Sequence, residues 1–453
     1  MARTSGIDVE AFIDQQPISR FQWLVGVLCF WIVVIDGFDT VLIGFVAPDL
    51  MRDWGVSKQA LGPVLSSALF GLMVGALTSG PAADRWGRKR ILLVNVTLIA
   101  LATLAGAFSN GLESLAATRF VAGIGLGAAI PTAVSLWGEF VPRRLRSALL
   151  AVMCSGFPIG AMGSGLVAAW VIPAFGWRAF ILCGGAIATV TALCIIFFMP
   201  ESVKFLAAQG ARADEVRRIL NRMNSTPLDP DESFWIADVD VAEQGSIRTI
   251  LSPKMLFGTV VLWICYFTGL FVVYLLLNWL PTMMHVLGYS VRESGVAVAL
   301  FSWGGAVGSL IIGWIMGRCG AARTLIVVML LGACLLFSMS ITIHSVSILY
   351  VTLFVCGLVL PTQNIGMNTY AALYYPTNAR ATGVSWMHGI GRLGAVASAL
   401  VGAQLLGVGW SIVEIFAAAG AVPVIGALAM LMLKFRKSGA LSDREAVAPH
   451  SVH

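Results

Sequence analysis

Charge is what this 453-residue sequence has least of. Asp, Glu, Lys and Arg make up 11% of it and hydrophobic residues 58%, whereas a soluble domain carries about 25% charged residues. A chain so poor in charge cannot face water over most of its surface. Alternating polarity is missing too. Ile91 to Phe108 and Ala179 to Met199 are mostly continuous apolar runs, not the roughly 10-residue alternating segments of a membrane β-barrel. In hydrocarbon an unpaired backbone group costs several kcal/mol, so such runs must be helical. The 8 cysteines show no CxxC and no Cys/His metal spacing, and they read as small buried hydrophobes. A nucleophile–base pair and a phosphate loop are also missing. Neither enzymatic activity nor any cofactor or metal is expected. No cleavable signal peptide is expected, since about 20 mixed residues precede a first apolar run too long for a signal h-region.

What remains is a set of long apolar runs. About 20 apolar residues span a bilayer core of about 30 Å as a helix. The sequence predicts twelve such helices, at 21–48, 58–82, 90–109, 112–137, 146–173, 177–199, 255–280, 291–316, 324–343, 346–372, 382–407 and 411–434. The expected fold is therefore an all-α integral membrane protein with twelve transmembrane helices in two six-helix, pseudo-symmetric bundles. Its expected parts are a cytoplasmic N-terminal segment (1–20), a first bundle (21–200), a cytoplasmic central loop (201–253), a second bundle (254–434) and a cytoplasmic tail (435–453). Within the loop, Asp214 to Met223 predicts a short amphipathic helix that tethers the halves on the membrane face.

The net charge of +6 does not point to nucleic acid, because the basic residues are sorted by side. Most of the 29 Lys and Arg fall in the loops that share a side with both termini, while Arg52, Lys58, Arg178 and Arg292 lie opposite. The positive-inside rule then puts both termini in the cytoplasm. Trp54, Trp137, Trp170, Trp177 and Trp410 lie near span ends, as interfacial anchors do.

The halves repeat. Gly80 to Arg90 follows the second span and Gly313 to Arg323 the eighth. A similar offset relates Phe120–Gly123 to Phe354–Gly357, Pro142 to Pro376, Arg146 to Arg380 and Met153 to Met387. Repeated halves mark many secondary transporters, whose site lies near the midplane between them.

The segment Gly80-Pro-Ala-Ala-Asp84-Arg85-Trp-Gly87-Arg88-Lys89-Arg90 resembles the loop signature of the major facilitator superfamily. Arg119-Phe-Val-Ala-Gly123-Ile-Gly125-Leu-Gly127 resembles its fourth-helix signature, and Pro200-Glu201-Ser202 the end of its sixth helix. Asp36-Gly37-Phe38-Asp39 resembles the aspartate-glycine-x-aspartate motif of the aromatic acid:proton symporters. The flanks Asp14 to Trp23 and Arg380 to Trp386 are similar to those of bacterial 4-hydroxybenzoate and protocatechuate transporters. One departure is Gly317, where family members often carry aspartate; it implies a weaker latch in the C-terminal half.

Asp36 and Asp39 are the sharpest candidates. An ionised side chain at a helix centre costs about 2.5–3.5 kcal/mol on insertion scales. At i and i+3 the two share a helix face. Close carboxylates in a low dielectric cannot both ionise easily, so one is expected to hold a proton. The other reading is a structural pair tied to an arginine. Arg119 reads either as an anchor that snorkels to the outer surface or, as the resemblance implies, as a cavity arginine that influences proton release. Arg392, deep in the eleventh span, offers a planar fork for a substrate carboxylate or belongs to a buried pair. His388, one turn earlier, either titrates near neutral pH or is a satisfied hydrogen-bonding residue. Asn278, Gln363, Asn364 and Asn368 lie in helices that line the cavity of the resembling fold, where they either bind ring hydroxyls or join helices. Trp279 and Trp386, with Trp263, Tyr266, Phe267 and Tyr370, either stack on an aromatic ring or simply pack.

Gly80, Asp84, Arg85, Gly87 and Arg88 are expected to gate, with Asp84 accepting from a neighbouring helix end or Arg146 in the outward-open state. Glu139, Arg143 and Arg146 are expected to form a second cluster, with Arg380 as the repeat of Arg146. The resemblance implies import of a small aromatic carboxylate with protons across the bacterial inner membrane by alternating access, through a monomer surrounded by lipid. An outward-running antiporter and a non-transporting sensor of aromatic acids are the alternatives.

Overall fold

The computed structural model describes residues 7–208, 213–223, 234–235, 247–343 and 345–447. In chain order the elements are β1 (Ile7–Asp8), α1 (Val9–Gln15), α2 (Arg20–Trp54), α3 (Leu61–Trp86), α4 (Arg88–Ala107), α5 (Leu112–Phe140), α6 (Arg143–Cys154), α7 (Gly156–Phe198), α8 (Val203–Ala208), α9 (Ala213–Met223), β2 (Phe234–Trp235), α10 (Ile247–Ile250), α11 (Leu256–Val286), α12 (Val291–Cys319), α13 (Ala321–Thr342), α14 (Val346–Tyr374), α15 (Thr377–Val408) and α16 (Ile412–Val447).

Among the described residues, eleven helical stretches are long and apolar enough to cross a membrane, and one of them, Arg143–Phe198, has 56 residues. That is far more than the roughly 20 a bilayer core needs. Gly176 divides it, with a φ of 80° that a helix cannot hold. Twelve crossings result, matching the twelve predicted runs. The fifth of them breaks again at Ser155, between α6 and α7. Pro158 follows three residues on; its ring has no N–H and clashes with the carbonyl four residues earlier.

The chain divides into two compact units, one holding the elements from β1 to β2 and the other those from α10 to α16, with Ser290–Gly295 counted in the first. In the first unit α3 packs on α5, α2 on α7, and α4 on both α5 and α7. In the second, α11 packs on α14, α15 and α16, and α13 on α14 and α16. Lipid tails are as apolar as leucine, so helices in a bilayer associate by close packing and hydrogen bonds rather than by escape from water. Small residues provide the packing here. A Cβ added to Gly123 or Gly127 on α5 would run into the carbonyls of Ala68 or Leu72 on α3, and one on Gly71 or Gly75 into those of Phe120 or Ile124. The second unit repeats this with Gly304 and Gly308 of α12 against Phe354 and Leu358 of α14, and Gly357 against Phe301. The internal repeat is thus a repeat of contacts. Large apolar side chains such as Leu77 (72% exposed), Phe197 (74%) and Ile341 (79%) point outward, the surface a bilayer covers.

Besides the helices of the expected all-α fold, β1 and β2 form a two-residue parallel pair, Ile7 with Phe234 and Asp8 with Trp235. In the N-terminal segment, Asp8 caps α1 through the Glu10 amide. The cysteines are not uniformly buried: Cys154, Cys319 and Cys334 are exposed, on helices whose outer faces are lipid-facing. The amphipathic helix expected at 214–223 is present as α9, which buries Val216, Ile219, Leu220 and Met223 in the core of the first unit.

Candidate functional site

The first unit holds a buried ion pair. Asp39 on α2 and Arg119 on α5 are 5% and 1% exposed. One guanidinium nitrogen, Nη1, donates to both carboxylate oxygens at 3.1 and 3.0 Å. Thr103 on α4, fully buried, completes a triangle: Arg119 Nη2 donates to its hydroxyl at 2.8 Å, and the hydroxyl donates to Asp39 Oδ1 at 3.1 Å. Three helices therefore meet at one charge pair. Arg119 is not a snorkelling anchor. Asp36 is also buried, at 3%. Close helix approach supports the arrangement, since a Cβ on Gly37 would meet the Phe157 backbone of α7.

At the loop end of the same unit the signature residues form a second network. Asp84 pairs with Arg88 one turn on (3.0 Å) rather than with Arg146. Arg88 also reaches Glu139 at 3.3 Å, and Glu139 accepts from the Ser202 hydroxyl. Glu201 accepts from the Lys89 and Ser202 amides at 2.9 Å. Gly87 sits at φ 98° with no room for a Cβ beside the Glu201 carboxylate. Gly80 has open space around it, Arg85 is exposed and lies over its neighbour Trp86, and Arg380 is exposed.

Arg143 and Arg146 do not join Glu139. They converge on Glu10 of α1, at 2.8 and 3.6 Å, together with Lys204 at 2.9 Å. Arg143 also meets Asp14 through its side chain (3.5 Å) and its amide (2.6 Å). Burial alone would raise the Glu10 carboxyl, but the hydrogen bonds and charges of Lys204 and Arg143 more than offset this and hold it at about 2, below its usual 4.5. A depressed carboxyl stabilises the fold above its unfolded value and loses that contribution as pH falls through the folded one. Docking of α1 should therefore weaken as pH falls from 4.5 towards 2. At neutral pH, Glu10→Gln should lower amide protection across α1 about 10-fold or more, since bonds to charged groups contribute about 1.5–3 kcal/mol. Hydrogen exchange of α1 measures it.

The second unit gathers polar and aromatic side chains. His388 on α15 donates from Nε2 to Asn368 Oδ1 on α14 at 2.7 Å, because an amide oxygen can only accept. Its ring lies against Tyr266 of α11, centroids 4.8 Å apart. Trp386, 42% exposed, stacks on Trp263 at 6.1 Å. Arg392 is one turn beyond His388 and partly buried. Asn278 and Asn364 are buried, and among the described residues Asn278 Nδ2 and Asn364 Oδ1 have no hydrogen-bond partner. Two expected ligand contacts are helix joints instead. Gln363 is 1% exposed and donates to the Cys265 carbonyl at 2.8 Å; Trp279 is fully buried and donates to the Ala399 carbonyl at 3.2 Å. A groove of about 440 Å³ is lined by Trp263, Phe267, Phe271, Ile390, Val422 and Ile425 among others, with no charged residue in its wall.

Sequence reasoning missed Thr103 and Glu10. The signal for Glu10 was present, as an Asp8 cap followed by apolar Val9 and Ile13 at helical spacing. Thr103 had no such signal.

The chain matches the model of the Major Facilitator Superfamily over residues 29–293 and 262–450. It belongs to that superfamily. It is similar to the 4-hydroxybenzoate transporter PcaK of Acinetobacter baylyi, with 41% identity over 410 residues that cover 90% of each chain. It is also similar to the gallate transporter of Pseudomonas putida, with 40% identity over 425 residues, 94% of each. Among solved structures, a D-xylose-proton symporter shares the fold at a TM-score of 0.70 and 16% identity, over 90% of this chain and 97% of that one.

Proposed function

We propose that the protein imports an aromatic carboxylic acid of the 4-hydroxybenzoate, protocatechuate or gallate type together with protons, by alternating access. The observation that carries this reading is the Asp39–Arg119 pair, a carboxylate and an arginine buried together on two membrane helices. Ionisable residues at that depth are expensive and mark proton relays. The names carried by relatives of about 40% identity supply the substrate class. Asp39 takes the proton and Arg119 governs its release, with Asp36 as the second carboxylate on the same helix. Arg392 holds the substrate carboxylate with its planar fork. Asn278, Asn364, Asn368 and His388 read ring hydroxyls, and Trp386 packs on the ring. The network of Asp84, Arg88, Glu139 and Glu201 latches the cytoplasmic end, and Arg85, Arg143, Arg146 and Arg380 lie on that side. The two bundles are taken as 21–200 and 254–434, with both termini in the cytoplasm and the chain in the inner membrane as a monomer.

One anion moving with one proton is electrically neutral, so membrane potential contributes little; each further proton adds about 2.3 kcal/mol per 100 mV. Cells that express the chain should accumulate labelled 4-hydroxybenzoate, protocatechuate or gallate and lose the gradient on adding a protonophore. No accumulation of any of the three by protein shown to be in the membrane would overturn the substrate class. Accumulation that survives the protonophore would overturn the coupling.

A further inference from the structure

The buried ion pair has a third member with a chemistry of its own. Threonines in the described membrane helices mostly return their hydroxyl proton to a carbonyl three or four residues back: Thr118 to Leu115, Thr132 to Ala128, Thr191 to Ile187, Thr352 to Ile348, Thr362 to Val359. That is the ordinary use of a hydroxyl in a helix with no water around it. Thr103 bonds instead to two charged side chains from two other helices.

The direction of each bond is fixed by its partners. A guanidinium only donates, so the Thr103 oxygen accepts from Arg119 Nη2; an ionised carboxylate only accepts, so the single hydroxyl proton goes to Asp39. The bond from Arg119 does not depend on the charge of Asp39. Arginine stays charged throughout, and it needs an acceptor in every state when it is 1% exposed. Its Nε has no hydrogen-bond partner among the described residues, so the two Nη groups carry its contacts to Asp39 and Thr103. When Asp39 binds a proton, the charge that held Nη1 is lost and the Thr103 oxygen remains.

We propose that Thr103 is a positioning residue for proton coupling: its hydroxyl keeps Arg119 of α5 docked on α4 while Asp39 carries the proton. This deepens the reading of Asp39 and Arg119 as the coupling pair and rests on it. Without the hydroxyl, protonation of Asp39 leaves Arg119 buried with only the neutral carboxyl oxygen of Asp39 to accept from it, and Nη2 loses its acceptor. The arginine then shifts, and protonation no longer follows the transport cycle.

The test compares Thr103→Val, which keeps the shape and removes both bonds, with Thr103→Ser, which restores the hydroxyl. Two rates are measured on 4-hydroxybenzoate, or on whichever of the three acids the wild type accumulates, with membrane levels of each variant determined alongside. Accumulation against a gradient needs proton coupling, whereas exchange of labelled for unlabelled substrate across the membrane needs no net proton movement. Thr103→Val should lose accumulation about tenfold or more, as expected for bonds to charged groups, with exchange within about twofold of wild type. Thr103→Ser should recover accumulation. Wild-type accumulation by Thr103→Val overturns the proposal. So does a parallel fall of accumulation and exchange, which marks a purely structural role, or a failure of serine to rescue. A protonophore added to wild type separates the two levels: survival of the gradient overturns the coupling reading itself, while collapse together with an unaffected Thr103→Val overturns only the role of Thr103.

Discussion

Asp39→Asn is expected to abolish accumulation of substrate while the protein stays in the membrane and still exchanges labelled for unlabelled substrate. Asparagine has nearly the shape of aspartate and keeps one acceptor oxygen for Arg119 Nη1, now 3.0–3.1 Å from both carboxylate oxygens. It cannot lose a proton. The variant is therefore held in the state that protonated Asp39 visits once per cycle, and net proton movement stops. The charge pair itself also changes. Removing one partner of a buried pair costs about 3–5 kcal/mol, so some loss of thermal stability should accompany the loss of coupling. The remaining amide oxygen and Thr103 place that loss at the low end. Accumulation and exchange measured on the same preparation separate the two effects. An asparagine variant that still accumulates substrate removes Asp39 from the coupling role.

The second large effect is on assembly. Gly127→Leu should prevent the first unit from packing, because even a Cβ at this position would enter the space of the Leu72 carbonyl of α3. A backbone carbonyl cannot swing aside as a flexible side chain can. Overpacking typically costs about 1–3 kcal/mol and sometimes more, and here the strain falls on a seam where Gly71, Gly75 and Gly123 are equally tight. The variant should be lost from the membrane fraction or elute as aggregate after detergent extraction. Gly80→Leu is the control: it lies in the loop signature but has open space, so it should assemble normally, whatever it does to transport. Normal assembly of Gly127→Leu would show that the α3–α5 contact is not needed for the fold.

The pattern of these effects follows what the sequence made visible. Twelve runs were legible because hydrocarbon demands continuous apolar helices, and even the division at Gly176 showed as a gap between two runs. The seam glycines were legible as spacing within Arg119 to Gly127. Asp39 and Arg119 stood out because a charge in an apolar run is costly, although which carboxylate faces the arginine was not readable from two aspartates on one helix face. Thr103 was hidden for the opposite reason. A threonine in an apolar helix usually bonds its own backbone, so nothing in Ile91 to Phe108 marks one as special. Glu139 was grouped with Arg143 and Arg146 because they are neighbours in sequence. In the fold a helix break intervenes between α5 and α6, and Glu139 turns to Arg88 and Ser202 while the arginines turn to Glu10. Side-chain pairing across distant loops is decided by packing, which the local sequence does not carry. The same holds for Trp279 and Gln363, polar-capable residues whose partners are the carbonyls of Ala399 and Cys265.

Whether protons move with the substrate is the central claim, and it is measured directly in a lightly buffered suspension of cells expressing the chain. On addition of 4-hydroxybenzoate, protocatechuate or gallate, the medium should turn alkaline in step with uptake, and Asp39→Asn cells should show no such change. Uptake with no change in external pH, or with acidification, would contradict it.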